Sequence, residues 1–327
     1  RDTRCTTART LASPRAPQVP GCQPSRGCHR SRRDKTGKPG AIRVEEDDIP
    51  QDWAAGTLIT VAPTGAELAK ADHPNLPTTL DELVATATAC AAAGAGMIHV
   101  HLRDDQDRSC LDVGRLREAV AAIRAETDLL VQLSTGGGVS DSFADRVAVL
   151  DAAPDSCSLT CGTVNFGEDV FANPWGLIVE LYRRTQDLGI VPEFELFDLG
   201  HVATMTRLLD TYGPPATGRV HADLVMGVPG GMPGTAATLV AVAGALPTGA
   251  TFSATGIGRS ALPVAFAALA AGGHLRVGLE DTVTYAKGRP ARDNAELVGR
   301  AATLAELAQR PPITGAAARA FLGLDPA

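Results

Sequence analysis

The residues best suited to chemistry are His99 and His101, which are two positions apart in the sequence. Side chains two apart on a β-strand point to the same face, with Cα atoms roughly 6 to 7 Å apart, so both imidazoles can reach one ion. Two neutral imidazoles suit zinc. A pair of buried, hydrogen-bonded histidines is the alternative interpretation of the motif alone.

A third metal ligand should come from a neighbouring strand, and Glu280 is the best placed carboxylate. Two histidines and one glutamate leave an open coordination position, as a catalytic zinc requires. Non-haem iron also accepts two histidines and a carboxylate. Taken alone, Glu280 could also be a solvated loop carboxylate or a helix cap.

Arg276 lies four residues before Glu280, so the even spacing predicts that both face the same way. A cation inside a barrel is costly unless it meets an anion. Asp281 or Glu67 could be that partner, or could serve as the base in a proton transfer. A purely structural ion pair is the competing interpretation.

Hydroxyl groups and glycines follow other predicted strands. Ser134 and Thr160 offer hydroxyls beside close backbone N–H groups, which would suit a carboxylate or an oxyanion. Gly256, Gly258 and Arg259 follow the seventh strand, where many barrels bind phosphate. Each segment could equally be a tight turn.

Eight short β-branched or apolar runs alternate with Ala- and Leu-rich stretches of helical period. This alternation predicts repeated βα units, whose strands carry the residues named above. Eight such units in about 270 residues predict a (β/α)8 TIM barrel. An open doubly wound sheet is the alternative, but the turn after the first strand lacks the G-x-G-x-x-G spacing. The predicted strands are 58–62, 97–102, 129–133, 156–160, 192–197, 220–225, 251–255 and 275–279.

Two helix starts carry recognisable cap residues. Thr78 or Thr79 precedes Asp81 and Glu82, and Ser140 opens a later helical stretch. The polar residues above fall at or just after the carboxyl ends of the predicted strands. Because those ends share one mouth in a barrel, we expect the chemistry to be on one face.

Charge is distributed unevenly in this chain of 327 residues with formal net charge −7. Residues 1–43 hold eleven Lys and Arg against Asp2 and Asp34, so the remainder carries −16. That remainder should repel nucleic acid and acidic membranes. The longest apolar run, 261–271, is far shorter than a membrane span. The scattered cysteines favour buried free thiols in a reducing compartment, which predicts a cytoplasmic protein.

The first 52 residues are predicted to be a disordered basic extension, because they have few large apolar residues and no periodicity. They lack the apolar core of a secretory signal. A transit peptide and a mis-called start site both account for them. We expect the catalytic domain to span residues 53–327.

A series of motifs from Thr57 to Leu324 resembles the β-keto acid cleavage enzymes, typified by 3-keto-5-aminohexanoate cleavage enzyme. Each motif is unspecific alone, but their order is specific. They are 64–67 (TGAE), 99–104 (HVHLRD), 134–137 (STGG), 197–201 (FDLGH), 227–231 (GVPGG), 256–259 (GIGR) and 276–281 (RVGLED).

The resemblance implies a zinc-dependent barrel that condenses a β-keto acid with acetyl-CoA and splits the adduct into acetoacetate and a new acyl-CoA. It also suggests a homotetramer. By motif, His99, His101 and Glu280 match the residues that hold the metal in this family. The network that deprotonates the methyl group of acetyl-CoA and handles the tetrahedral adduct is matched by Arg276, Asp281 and Glu67. Ser134 and Thr160 match the hydroxyls that hold the substrate carboxylate, with Thr163 as a second alignment for Thr160.

Two other functions fit some of the same residues. An amidohydrolase-like metal-dependent hydrolase also uses a His-x-His pair, and His201, His221 and Asp281 could supply its further ligands. That pair usually lies on strand one, however, whereas here it lies on strand two. A non-catalytic metal-binding barrel is the third hypothesis, and it leaves Arg276 and Glu67 without a role.

Overall fold

The structure is a computed structural model that describes residues 56–325. The predicted basic extension, residues 1–52, lies outside the described residues. Within them, eight parallel strands form a closed barrel, as predicted. The barrel strands are β1 (Thr57–Val61), β2 (Met97–Val100), β3 (Leu130–Leu133), β4 (Ser156–Thr160), β5 (Val191–Leu196), β6 (His221–Met226), β7 (Thr251–Gly256) and β8 (His274–Val277).

Pairing between β8 and β1 closes the barrel, with Ile59 opposite Leu275 and Thr60 opposite Arg276. All eight predicted strands are confirmed, with ends shifted by at most two residues. Closure rules out the open doubly wound sheet. It also brings the end of β8 close to β2, across β1.

Helices cover the outside of the barrel and bury their apolar faces against the strands. A short strand, Pro312–Ile313, adds to β1 at the amino end. The helices are α1 (Leu80–Ala92), α2 (Val113–Glu126), α3 (Phe143–Ala148), α4 (Trp175–Leu188), α5 (Leu199–Tyr212), α6 (Ala236–Ala243), α7 (Ala261–Ala270), α8 (Asn294–Leu307) and α9 (Gly315–Phe321).

One of the two predicted helix caps is confirmed and the other is wrong. Thr79 caps α1 in a capping box with Glu82. Ser140 caps nothing, because Gly138 donates its N–H to Asp141 and residues 138–141 form a turn. The helix therefore starts later, with Ser142 as its cap.

Two further expectations concern thiols and membranes. Cys90, Cys157 and Cys161 are buried and free, as expected, whereas Cys110 is partly exposed and free. Among residues 56–325, no helix is both long enough and apolar enough to cross a membrane.

The amino end of the barrel is closed by aromatic and polar side chains around His274. The His274 ring lies 4.4 Å from the Phe321 ring and 5.8 Å from the His221 ring, measured between centroids. Its Nδ1 accepts a hydrogen bond from the Leu58 N–H at 2.8 Å. Burial lowers the pKa of His274 well below its usual value, and His221 and Arg310 add to the effect.

This arrangement predicts a loss of stability in mild acid. His274 is neutral when folded but takes up a proton when unfolded at pH values below about 6.5, so the free energy of unfolding should fall as the pH is lowered from there. In His274→Asn, the amide oxygen can still accept from Leu58 without titrating. We expect the pH slope of its unfolding free energy below pH 6.5 to be smaller by up to about 1.4 kcal/mol per pH unit. Urea titrations of both proteins at several pH values would measure it, and equal slopes would contradict the prediction.

Candidate active site

His99, His101 and Glu280 come together at the carboxyl end of the barrel, as predicted. His99 lies on β2, His101 just after it, and Glu280 in the loop that follows β8. Glu280 Oε1 is 3.9 Å from His99 Nε2 and 3.8 Å from His101 Nε2. One ligand atom from each residue lies within 4.8 Å of the others, so the three could hold one metal ion.

The environment of this cluster fits a metal. Glu280 Oε2 is buried without a hydrogen-bond partner, which is costly for a carboxylate oxygen unless a cation meets it. His99 Nδ1 contacts Gln132 Oε1 at 2.6 Å, which leaves Nε2 directed toward Glu280. Burial, helped by the nearby Arg276, lowers the pKa of His99 to about 3. A neutral imidazole held in this way is ready to bind zinc.

Arg276 forms a buried network with four carboxylates, which we call the arginine network: Glu195, Asp223, Glu280 and Asp281. Its Nη1 is 3.3 Å from Glu195 Oε1 and 3.9 Å from Asp223 Oδ2. Its Nη2 is 3.1 Å from Asp281 Oδ1 and also contacts Glu280. The prediction that Arg276 faces inward and meets a carboxylate is confirmed.

The two carboxylates after β8 have different acidities. Burial would raise the pKa of Glu280, but Arg276 and the two histidines outweigh it and lower that pKa to about 2. Burial raises the pKa of Asp281 to about 7; Arg276 opposes the rise, and the negative charge of Glu280 adds to it. The pKa values of these two adjacent carboxyl groups are therefore shifted in opposite directions, and Glu280 is the stronger acid.

Glu67 lies on the loop after β1 and lines the same cavity as Arg276, Glu280 and Asp281, but it is exposed. Arg103 holds this loop in place by donating hydrogen bonds to the carbonyls of Gly65 and Leu68. Glu67 therefore shares the site with Arg276 without forming its ion pair. Arg103 is a positioning residue that the sequence analysis did not single out.

Gly65 allows the loop to pass over Glu280. Its φ is +67°, and a Cβ atom there would lie 2.7 Å from Glu280 Cγ. We expect Gly65→Ala to displace Glu280 and weaken zinc affinity by at least about tenfold, since ligand geometry controls affinity. Chelator competition would measure this.

Gly189→Ala is the matched control for this change. Its φ is +71°, but a Cβ atom there would meet nothing within 4 Å. Both variants therefore carry similar backbone strain, and only Gly65→Ala should lose zinc. Equal affinities in the two variants would contradict the expected steric effect on Glu280.

Ser134 and Thr160 lie in different surroundings, because Ser134 lines the cavity and Thr160 does not. Ser134 lines the cavity, and its Oγ accepts the Gly136 N–H at 3.1 Å. Thr160 is buried in the barrel and donates its hydroxyl to Glu195 Oε2 at 2.7 Å. Thr163, the second alignment, accepts the Asn173 N–H outside the cavity lining.

The loop after β7 lies beside the loop after β8, since Gly258 donates its N–H to the Asp281 carbonyl at 2.8 Å. Gly256 ends β7 and is buried, whereas Gly258 and Arg259 are exposed. Ile257 lines the cavity, and Arg259 does not. The predicted phosphate-binding segment is thus at the mouth, beside the cavity.

Four polar residues inside the barrel, which no motif in the sequence indicates, contact the site: Gln132, Glu193, Glu195 and Asp223. Gln132 Nε2 donates to Glu193 Oε2 at 2.7 Å, which fixes the amide that contacts His99. Glu195 and Asp223 lie in register with each other and both face Arg276. The available signal was a charged or amide side chain within an apolar strand, which is costly in a core unless it is paired.

The two further histidines expected by the hydrolase hypothesis lie elsewhere. His201 Nδ1 accepts the Phe197 N–H at 3.2 Å, and the ring packs on Gly162. His221 lies deep in the barrel, with Nε2 3.0 Å from Ser253 Oγ and 3.3 Å from Glu193 Oε1. Neither residue lines the cavity that contains His99.

Known proteins match this chain along the barrel. A profile of the family described as beta-keto acid cleavage enzyme matches residues 57–324. The chain belongs to this family. The resemblance drawn from the ordered motifs is confirmed, as is the expectation of an enzyme.

This chain aligns with two named relatives over nearly the whole length of each relative. A 3-keto-5-aminohexanoate cleavage enzyme of Acetoanaerobium sticklandii is 38% identical over 270 residues, 82% of this chain and 98% of the relative. A 3-oxoadipate:acetyl-CoA acetyltransferase of Cupriavidus necator is 36% identical over 82% of this chain and 94% of the relative. The apo structure of ObcA matches with a TM-score of 0.67 and 21% identity over 77% of this chain and 66% of that chain, which shows the shared fold.

Proposed function

We propose that this enzyme is a zinc-dependent transferase that converts a β-keto acid and acetyl-CoA into acetoacetate and a new acyl-CoA. The acetyl group of acetyl-CoA replaces the acyl group of the β-keto acid, and that acyl group passes to CoA, so the atoms balance. The observation that carries this proposal is the His99, His101 and Glu280 cluster beside the arginine network, in one cavity. The name of the Cupriavidus necator relative, 3-oxoadipate:acetyl-CoA acetyltransferase, supports acetyl-CoA as the co-substrate.

In this proposal His99, His101 and Glu280 hold the zinc. Bound zinc would polarise a keto carbonyl and stabilise the negative charge that develops on its oxygen. Gln132 fixes the His99 ring, and Glu193 fixes Gln132. The His99 ring is thereby oriented before substrate enters.

The remaining residues bind substrate and move protons. Asp281 is buried, lines the cavity and is held by Arg276, so we assign it as the base that takes a proton from the carbon between the keto carbonyl and the carboxylate of the β-keto acid. This carbon, and not the methyl group of acetyl-CoA, must form the new bond to the acetyl group, while the CoA thiolate leaves and later takes up the acyl group. Arg276 offers a fixed positive charge to the adduct. Glu67, at the rim, exchanges protons with water. Ser134, whose Oγ accepts the Gly136 N–H, would hold the substrate carboxylate by donating its hydroxyl hydrogen.

We assign Thr160 a positioning role: its hydroxyl holds Glu195, and Glu195 in turn holds Arg276. Acetyl-CoA would approach across the loop of Gly256, Gly258 and Arg259 at the mouth. The proposal also includes a cytoplasmic homotetramer, whose mass light scattering would measure.

The experiment that tests the function is the formation of acetoacetate and acyl-CoA by the zinc-loaded protein. A panel of cationic, neutral and anionic β-keto acids would be assayed with and without acetyl-CoA. Turnover that depends strictly on acetyl-CoA is the expected result. No turnover across the panel with zinc bound would reject the proposed function in favour of a hydrolase or a non-catalytic barrel.

A further inference from the structure

The cavity at the barrel mouth has two chemically different sides. Its volume is about 350 Å³. One side carries the metal cluster and the arginine network. The other side, which we call the apolar wall, consists of Phe166, Phe171, Phe197, Val225, Val228 and Ile257.

The apolar wall is a hydrophobic cluster separate from the main core of the barrel. Phe171, Phe197, Val225 and Val228 are buried, and Phe166 and Ile257 are half-buried, so most of the wall is shielded from bulk water. The Phe166 ring lies 6.3 Å from the rings of both Phe171 and Phe197. A substrate side chain directed to this face would meet aromatic and aliphatic carbon.

The positive charge in the cavity lining is already paired with carboxylates. Arg276 is the one arginine or lysine among the described residues that line the cavity, and its guanidinium faces four carboxylates. Arg146 lies 4.8 Å behind the Phe171 ring and donates to Thr135, Ala172 and Asn173. It is not part of the cavity lining.

The titratable groups at the rim add negative charge. Glu67 and Asp169 line the mouth, and both are exposed. A second carboxylate on a substrate would therefore lose water against the wall, with no unpaired arginine or lysine among the cavity-lining residues and with two acidic groups at the rim. A side chain without negative charge avoids both penalties.

We propose that this enzyme takes β-keto acids whose side chain carries no negative charge, with an alkyl stem against the apolar wall, and that it rejects side chains ending in a second carboxylate. The proposal rests on the proposed function, since it concerns the substrate of that same cavity. It separates this chain from the relative named for 3-oxoadipate.

The test compares two six-carbon acids that differ at the end of the side chain, 3-oxohexanoate and 3-oxoadipate. With zinc-loaded full-length protein and saturating acetyl-CoA, we expect kcat/KM for 3-oxohexanoate to be higher by at least about a hundredfold. A kcat/KM for 3-oxoadipate that equals or exceeds it would overturn the proposal.

A binding measurement separates failure of this inference from failure of the proposed function. Hexanoate and adipate lack the keto group and report on the wall without turnover. Calorimetry should detect hexanoate and find adipate at least about tenfold weaker. Selective binding without any turnover would reject the proposed function and support the selectivity, whereas equal binding would reject the selectivity.

A charge introduced into the wall gives a second test. Val225→Lys should shift the kcat/KM ratio toward 3-oxoadipate by at least about tenfold, because the ammonium would meet the second carboxylate. Val225→Met is the control for added length without charge and should leave the dicarboxylate disfavoured. Thermal unfolding would verify that both variants fold, and the same ratio in both would contradict the proposed role of charge.

Discussion

Replacing His99 or Glu280 with alanine should abolish zinc binding and acetoacetate formation together. Each residue supplies one of three ligand atoms that lie within 4.8 Å of one another, and two remaining ligands hold zinc poorly. We expect zinc affinity to fall by at least about a hundredfold and turnover to reach background. Elemental analysis after dialysis and an acetoacetate assay would measure both.

His201→Asn is the matched control for the ligand variants. His201 lies outside the cavity lining, and an Asn oxygen can still accept the Phe197 N–H. The proposed function expects this variant to keep its zinc. Under the hydrolase hypothesis His201 is a metal ligand, so His201→Asn should lose its zinc. Full zinc stoichiometry in both His99→Ala and Glu280→Ala would reject the site itself.

Changes at Arg276 should separate catalysis from metal binding. Arg276→Lys keeps a positive charge but loses the planar fork that reaches Glu195 and Asp281 at once. We expect zinc to be retained and kcat/KM to fall by about a thousandfold or more, since fixed positive charge stabilises the adduct.

Arg276→Ala should lose turnover as well and should also destabilise the fold. Removing one partner of a buried ion pair typically costs about 3–5 kcal/mol, and Asp223 and Glu195 would be left without their cation. Elemental analysis, steady-state kinetics and thermal unfolding would separate these effects.

Arg319→Lys, at an ion pair with Asp155 remote from the cavity, is the control for an arginine to lysine change. It should keep both its zinc and its turnover. Activity of Arg276→Lys within tenfold of the parent enzyme would contradict the role assigned to the guanidinium.

The repeated βα pattern, and with it the barrel, follows from the amino-acid sequence alone. Strand and helix periodicity are local properties, which is why the bounds of β4, Ser156–Thr160, were predicted without error. The meeting of Glu280 with His99 also followed, because barrel closure puts β8 beside β1 whatever the side chains. The histidine pair needed only the two-residue period of a strand.

Contacts inside the barrel were decided by tertiary structure. Glu195 meets Arg276 across 81 residues of chain, and Gln132 meets Glu193 across 61. No local period specifies such a partner, because it depends on strand register and on which side chains share a layer. Thr160 illustrates this, since the sequence pattern around it gives no sign that its hydroxyl donates to Glu195.

The apolar wall depended on tertiary structure even more strongly. Its members come from the antiparallel hairpin of Val164–Phe166 and Asp169–Phe171 and from the ends of three different barrel strands, β5, β6 and β7. Each apolar residue alone fits an ordinary core position, so the sequence offered no sign that they would share a surface. The grouping of His99, His101 and Glu280 follows from periodicity and barrel closure, whereas the apolar side of the cavity is determined by how distant loops pack.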